Sequence, residues 1–310
     1  MARKVLLATE KAFAKAAEDE LLAILKQAGY ETVVLKNYKD KADLAKAIAD
    51  VDACIIRSDV VDREILDAAK NLKLVVRAGA GYDNIDCAAA KEKGVAAMNT
   101  PGQNSNAVAE LALGLMVYMA RGKFGGKSGF ELRGKRLGLH GFGAVGQLVA
   151  QIAKGFGMTV KALDPFVKPE EMKAKGVDPA GSVEDLYSSS DYLSLHMPAN
   201  SQTKKSINFK LLNLMPKGAT VVNTARAEVI DEDGLIEVFK ARADLHYVSD
   251  VEPTAQTAQS LLAKFSDRVY WTPKKMGAQT EEANVNAGLA AARQIVAFFE
   301  KGEKKFIVNP

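Results

Sequence analysis

The chain has 310 residues, 48% of them hydrophobic and 26% charged, with a net charge of +4. That length exceeds one typical core and implies two domains, and the composition excludes long disorder. Two cysteines, Cys54 and Cys87, stand far apart without a Cys-x-x-Cys pair, which excludes a zinc or dithiol motif, leaves no metal site expected and fits a reducing compartment.

The opening "MARKVLLATE" runs straight into a strand, with no pattern of a secretory signal. Short apolar runs follow at 4–8, 32–35, 53–57 and 73–77, and "AEDELLAILKQAG" between the first two has helical spacing and stops at Gly29. This alternation predicts a parallel sheet with crossover helices. Arg57 and Arg77 each end a strand, on the edge where such sheets bind ligands. An apolar stretch at 107–120 is broken by Glu110 and is too short for a membrane span. A cytoplasmic location is expected, with neither a membrane nor a nucleic-acid partner, because the lysines are scattered among acids. The mild positive charge fits a small anionic substrate or a solvated surface.

A second βαβ unit starts at Lys135. "KRLGLH" is a strand, Gly141-x-Gly143-x-x-Gly146 a turn, "AVGQLVAQIAKGFG" a helix and "MTVKALD" a strand ending at Asp164. The glycine triplet alone is a weak signal; in this setting it is a dinucleotide fingerprint. Gly141 permits the tight turn, Gly143 lets the backbone approach a pyrophosphate, and Gly146 allows close helix packing. The helix start at Ala144 and Val145 offers N–H groups to the phosphates. Asp164, eighteen residues after Gly146, suits both ribose hydroxyls of an adenosine and repels a 2′-phosphate, so NAD is expected rather than NADP. Further strands are predicted at 191–196, 219–223, 245–250 and 268–271, with helices at 183–188, 208–214 and 231–242 between them. His196, followed by Met197 and Pro198, ends one of these strands and is read as a cofactor contact ahead of a proton shuttle or a satisfied strand-end residue. His140 and His246 are read as structural. Long alanine-rich helices at 103–121 and 281–300 flank this block, and "KKFIVNP" is expected to pack back on the first domain. The expected division is residues 1–99 plus 285–310 for an outer domain and 100–284 for a nucleotide domain.

In order along the chain, "RAGAGYDNID", "TPGQNSNAVAEL", "GFGAVG", "SLHMP", "VVNTARAEVIDEDGL" and "TPKKMGAQT" resemble the D-isomer-specific 2-hydroxyacid dehydrogenases. Within that family the similarity is greatest to short D-3-phosphoglycerate dehydrogenases that lack a C-terminal regulatory module. The resemblance runs nearly end to end. It implies an α/β protein of two doubly wound parallel-sheet domains, a central Rossmann NAD-binding domain inserted in a flavodoxin-like substrate domain. It also implies a homodimer formed through the nucleotide domain. By the same resemblance Arg226 binds the substrate's carboxylate and carbonyl, backbone N–H groups at Gly79, Ala80 and Gly81 form a nest for the carboxylate, and Ala80 approaches the nicotinamide. Thr224 and Ala225 lie near the cofactor, and Asp250 contacts the carboxamide. Arg57 and Arg77 are the candidates for a 3-phosphate. The implied reaction is oxidation of D-3-phosphoglycerate at the start of serine synthesis. The rivals are reduction of hydroxypyruvate, glyoxylate or another 2-keto acid, and an NAD-sensing, corepressor-like binding protein.

The family's histidine, expected in T-P-H-x-G-A, is missing. Counting back from Gly277-Ala278 puts Lys275 in its place, and counting forward from Thr272-Pro273 puts Lys274 there. Lys275 is preferred, with burial beside other cations expected to bring its pKa down toward ~7–8. The partner glutamate falls in a shortened loop, "DVEP", as Glu252.

Overall fold

Residues 2–310 are described by a computed structural model. The alternating apolar runs of the first hundred residues form β1 (Lys4–Thr9), α1 (Lys15–Gln27), β2 (Glu31–Lys36), α2 (Lys41–Ile48), β3 (Ala53–Ile56), α3 (Arg63–Ala68), β4 (Leu74–Arg77), α4 (Cys87–Glu92) and β5 (Ala96–Asn99). Helix α1 buries Ala17, Leu21 and Leu25, one face at four-residue spacing. The shorter α2, α3 and α4 start where Asp40, Asp62 and Asp86 accept first-turn backbone N–H groups. All five strands are parallel, in the order β2-β1-β3-β4-β5.

The next stretch forms α5 (Ser105–Ala120), β6 (Arg136–His140), α6 (Ala144–Gly155), β7 (Thr159–Leu163), α7 (Pro169–Ala174), β8 (Asp178–Pro179), α8 (Val183–Ser188) and β9 (Tyr192–Leu195). It continues through α9 (Phe209–Asn213), β10 (Thr220–Asn223), α10 (Glu232–Ala241), β11 (His246–Ser249), α11 (Ala255–Phe265) and β12 (Val269–Trp271). Its seven parallel strands run β12-β11-β10-β9-β6-β7-β8. Apolar side chains fill both faces, Leu113, Met116, Leu137, Leu139 and Val149 in one core and Leu193, Leu195, Val221, Val238 and Phe239 in the other. This is why the strands read as continuous apolar runs.

Helix α12 (Glu281–Lys301) then returns to the first unit. A Cβ at its Gly288 would lie 3.1 Å from Phe13 and 3.3 Å from Leu21, a tight contact that glycine avoids. The final residues lie along β5, with a Met98–Ile307 antiparallel bridge and Val308 N–H donating to Ala97 O at 2.8 Å. Residues 2–104 with Gln279–Pro310 form one compact unit, and Ser105–Ala278 the other. The limits lie a few residues from the expected ones because Thr100 N–H bonds Gly79 O, and Asn284 takes a hydrogen bond from Arg57. Among the described residues no helix is long and apolar enough to cross a membrane.

Candidate active site

In open parallel sheets the ligand crevice lies where the strand order reverses, outside the carboxyl ends. In the second unit that point falls between β6 and β9. Gly141 follows β6 with φ +99°, and a Cβ on it would stand 2.8 Å from the carbonyl of His196, which follows β9. Glycine is therefore required twice over, by backbone conformation and by the passing chain. A Cβ on Gly146 would stand 2.4 Å from Gly141 O, so this glycine fits α6 against the turn itself rather than against the sheet. Gly143 caps α6 with no side-chain hydrogen bond, and a Cβ there would meet nothing within 4 Å. The open approach is at Gly143, in front of the first turn at Ala144 and Val145. Asp164, at the end of β7, is held across the turn by Phe142 N–H at 2.7 Å and Phe166 N–H at 2.8 Å, one to each oxygen.

Two buried polar atoms on this edge have no hydrogen-bond partner among the described residues, His196 Nε2 and Thr224 Oγ1. A buried polar group without a partner is costly, and both stand where a dinucleotide would supply one. The residues present thus fit NAD. Burial holds the His196 ring down to about 3, which favours the neutral imidazole. Burial also holds His140 down to about 4, with its Nδ1 3.1 Å from the Tyr187 hydroxyl, a structural role. Met197 is buried and Pro198 exposed beside them.

At the end of β10, Asn223 shapes the turn that carries Arg226. Its Nδ2 donates to Arg226 O at 2.9 Å and its Oδ1 accepts Ala225 N–H at 3.0 Å. Arg226 is half-buried, with Nη1 donating to Ala225 O at 2.9 Å. Asp250 directly follows β11 and is 1% exposed. It takes three donors, Thr272 Oγ1 at 2.8 Å, Met276 N–H at 2.8 Å and Gly277 N–H at 2.7 Å. The expected carboxamide contact must therefore share a carboxylate already engaged in folding the 272–277 segment. Lys274 and Lys275 lie in that segment and both are exposed, so the expected burial of Lys275 is not what the structure shows. Glu252 is exposed as well. The turn at Gly277 does not itself open a helix; α12 starts four residues later, capped by Thr280.

In the first unit two of the expected ligand contacts are engaged within the protein. Arg57, expected to face a phosphate, turns back onto its own unit. Its Nη1 donates to Lys11 O at 2.9 Å, its Nη2 to Asn284 Oδ1 at 2.5 Å, and its guanidinium lies 4.8 Å from the Phe13 ring centre. Burial lowers its pKa from the usual arginine value. Gly79, expected to donate its N–H to a carboxylate, donates it to Arg77 O at 2.9 Å. Its missing side chain serves a different end. With φ at +150° the backbone favours glycine, and the Arg77 guanidinium, its Nε donating to Arg57 O at 3.1 Å, lies where a Cβ on Gly79 would stand, 1.6 Å from Nη1. Ala80 O accepts from Asn99 Nδ2 at 2.6 Å, and Gly81 is half-buried. Asn84, not singled out from the sequence, ties Arg57 O and Asp59 O together at 3.2 and 2.6 Å. Only its place in "GYDNID" marks it beforehand. Among the described residues no group of three or more His, Cys, Asp or Glu side chains could hold a metal ion.

The fold and the nucleotide edge define an NAD-dependent dehydrogenase of two parallel α/β units. A sequence profile for the D-isomer specific 2-hydroxyacid dehydrogenase NAD-binding domain matches residues 113–274. A hydroxypyruvate reductase from Thermotoga maritima is 40% identical over 285 residues, 86% of this chain and 90% of that protein. A D-3-phosphoglycerate dehydrogenase from Methanocaldococcus jannaschii is 36% identical over 294 residues, 89% of this chain but only 55% of that protein, so the chain spans about half of that relative. The NAD+-bound crystal structure of 3-phosphoglycerate dehydrogenase in Entamoeba histolytica superposes with a TM-score of 0.88 at 44% identity, covering 100% of this chain and 99% of that one. The chain belongs to the D-isomer specific 2-hydroxyacid dehydrogenases.

Proposed function

We propose that the protein interconverts D-3-phosphoglycerate and 3-phosphooxypyruvate, the opening oxidation of serine synthesis. The observation that carries this reading is Arg77, which ends β4 with its guanidinium in the space left by Gly79 and its Nε donating to Arg57 O at 3.1 Å. A planar guanidinium there suits a phosphate group. Arg57, drawn into its own unit, supports this edge more than it reaches a ligand. The likeness to the Entamoeba histolytica enzyme adds to the reading.

In this proposal Gly143, Ala144, Val145 and Gly146 receive the pyrophosphate, Asp164 the adenosine ribose, and Thr224 and His196 the polar groups beyond it. NAD, when bound, takes up or supplies the hydride equivalent at C2 of the substrate. Arg226 fixes the carboxylate and polarises the carbonyl. Lys275 gives its proton to the carbonyl oxygen in reduction and, as the neutral amine, removes the hydroxyl proton in oxidation, so that protons and charge balance in both directions. Glu252 lies nearby in sequence to Asp250 and is assigned to the same site. A homodimer through the nucleotide unit belongs to the proposal, and Phe124 and Phe130, 67% and 72% exposed after α5, suit such a contact.

The Thermotoga maritima relative favours a second reading, reduction of hydroxypyruvate. Comparing kcat/KM of NADH oxidation for 3-phosphooxypyruvate and hydroxypyruvate decides between them. A phosphate held by an arginine favours the phosphorylated substrate by ~2 kcal/mol or more, roughly thirtyfold. Equal or reversed values sink the phosphoglycerate reading, and no turnover with either leaves an NAD-sensing binding protein.

A further inference from the structure

The segment 272–277 is built around one buried carboxylate. Asp250, directly after β11, gathers the Thr272 hydroxyl from one end of the segment and the consecutive N–H groups of Met276 and Gly277 from the other. Thr272 is itself 3% exposed and is tied back by its N–H to Ser249 O at 3.0 Å. Gly277 completes the fit, since a Cβ on it would stand 2.8 Å from Asp250 Oδ2. The three residues between these anchors are Pro273, Lys274 and Lys275. Charge-assisted hydrogen bonds to a carboxylate are the strong ones, and two successive N–H groups converging on an anion set the orientation of the peptide planes on either side. The plane joining Lys275 to Met276 is one of these. Lys274 is one peptide further from that anchor, beside Pro273.

We propose that Asp250 and Thr272 form a latch that fixes Lys275, rather than Lys274, as the proton-transferring lysine. Thr272 is a positioning residue for that step. This rests on the lysine reading given above. The latch fixes the backbone from which Lys275 projects, and small misplacements of a reacting group are expensive in rate.

The test uses the full chain. Thr272→Val keeps the shape and removes the hydroxyl; Thr272→Ser keeps the hydroxyl. In Thr272→Val, kcat falls about tenfold or more, the NADH Kd from fluorescence titration is unchanged, and amide hydrogen exchange at Met276 and Gly277 accelerates. Thr272→Ser restores kcat. Lys275→Ala lowers kcat further than Lys274→Ala, and adding Thr272→Val to Lys275→Ala has no additional effect. Multiplying effects in that double variant make Thr272 merely stabilising and overturn the proposal, as does a larger loss in Lys274→Ala. Unchanged kcat in both lysine variants overturns the lysine reading. Unchanged exchange at Met276 and Gly277 in Thr272→Val overturns the latch, so the two failures are read separately.

Discussion

The two sheets carry equivalent switch points, and they are used in opposite ways. Between β6 and β9 the chain places glycine at 141, 143 and 146, and two buried polar atoms there have no partner among the described residues. Between β1 and β3 the same location is filled by the protein's own side chains. Arg57 reaches across to Lys11 O and Ala12 O, and Asp59 accepts Glu10 N–H, Tyr38 Oη–H and Arg57 N–H. Parallel topology offers a crevice in both units, and side-chain chemistry decides whether it stays open. One strand along, at the end of β4, the space beside Gly79 is likewise taken by a guanidinium, that of Arg77, which donates Nε to Arg57 O at 3.1 Å.

The contrast can be broken at several points. The largest effect is expected at Asp59, which is 1% exposed. Asp59→Ala strands three donors and should cost about 4 kcal/mol in urea unfolding, with NADH affinity unchanged in the folded protein. A lower NADH affinity in that folded protein would show that the filled switch point serves more than stability. Next is Gly146→Ala, whose Cβ meets a backbone oxygen that cannot step aside; the NADH Kd should rise about a hundredfold, ~2.7 kcal/mol. Gly79→Ala should displace Arg77 and cut kcat/KM for 3-phosphooxypyruvate by about thirtyfold, ~2 kcal/mol, while hydroxypyruvate stays within a few-fold. Equal losses on both substrates would mean that Gly79 shapes the turn and not the anion seat.

The smallest effect is one of pH. Burial lowers both His140 and His196 in the folded state, to about 4 and about 3. The unfolded chain takes up protons near its ordinary pKa of about 6.5, where the folded chain does not. The stability they contribute is therefore whole above that pH and is lost as pH falls toward their folded values. Between pH 6.5 and 5.5 each should account for about 1 kcal/mol of lost stability. His140→Gln should flatten the pH dependence of the urea midpoint by that amount.

Much of the architecture was legible because periodicity and glycine punctuation agree. The strands predicted at 191–196 and 219–223 form as β9 (Tyr192–Leu195) and β10 (Thr220–Asn223). Strand β5 was not, since "AAMN" has no β-branched residue and is held by its neighbours, β4 on one side and the chain's end on the other. The nucleotide fingerprint could be read because its glycines act where they stand. The inward turn of Arg57 could not, because its acceptors at Lys11 and Asn284 lie 46 and 227 residues away. The exposure of Lys275 was missed for a related reason: a motif counted along the chain says nothing of what surrounds it. Asp250 was singled out for the cofactor, yet its three hydrogen bonds serve the neighbouring segment.

The return of α12 has a consequence for how the molecule is made. The unit Ser105–Ala278 is one continuous stretch, whereas its neighbour needs residues from both ends of the chain. On the ribosome, where domains fold as units once their residues have emerged, the middle of the chain is complete first. The opening hundred residues must wait through its synthesis with the face that α12 covers still exposed. Folding of that neighbouring unit therefore finishes last.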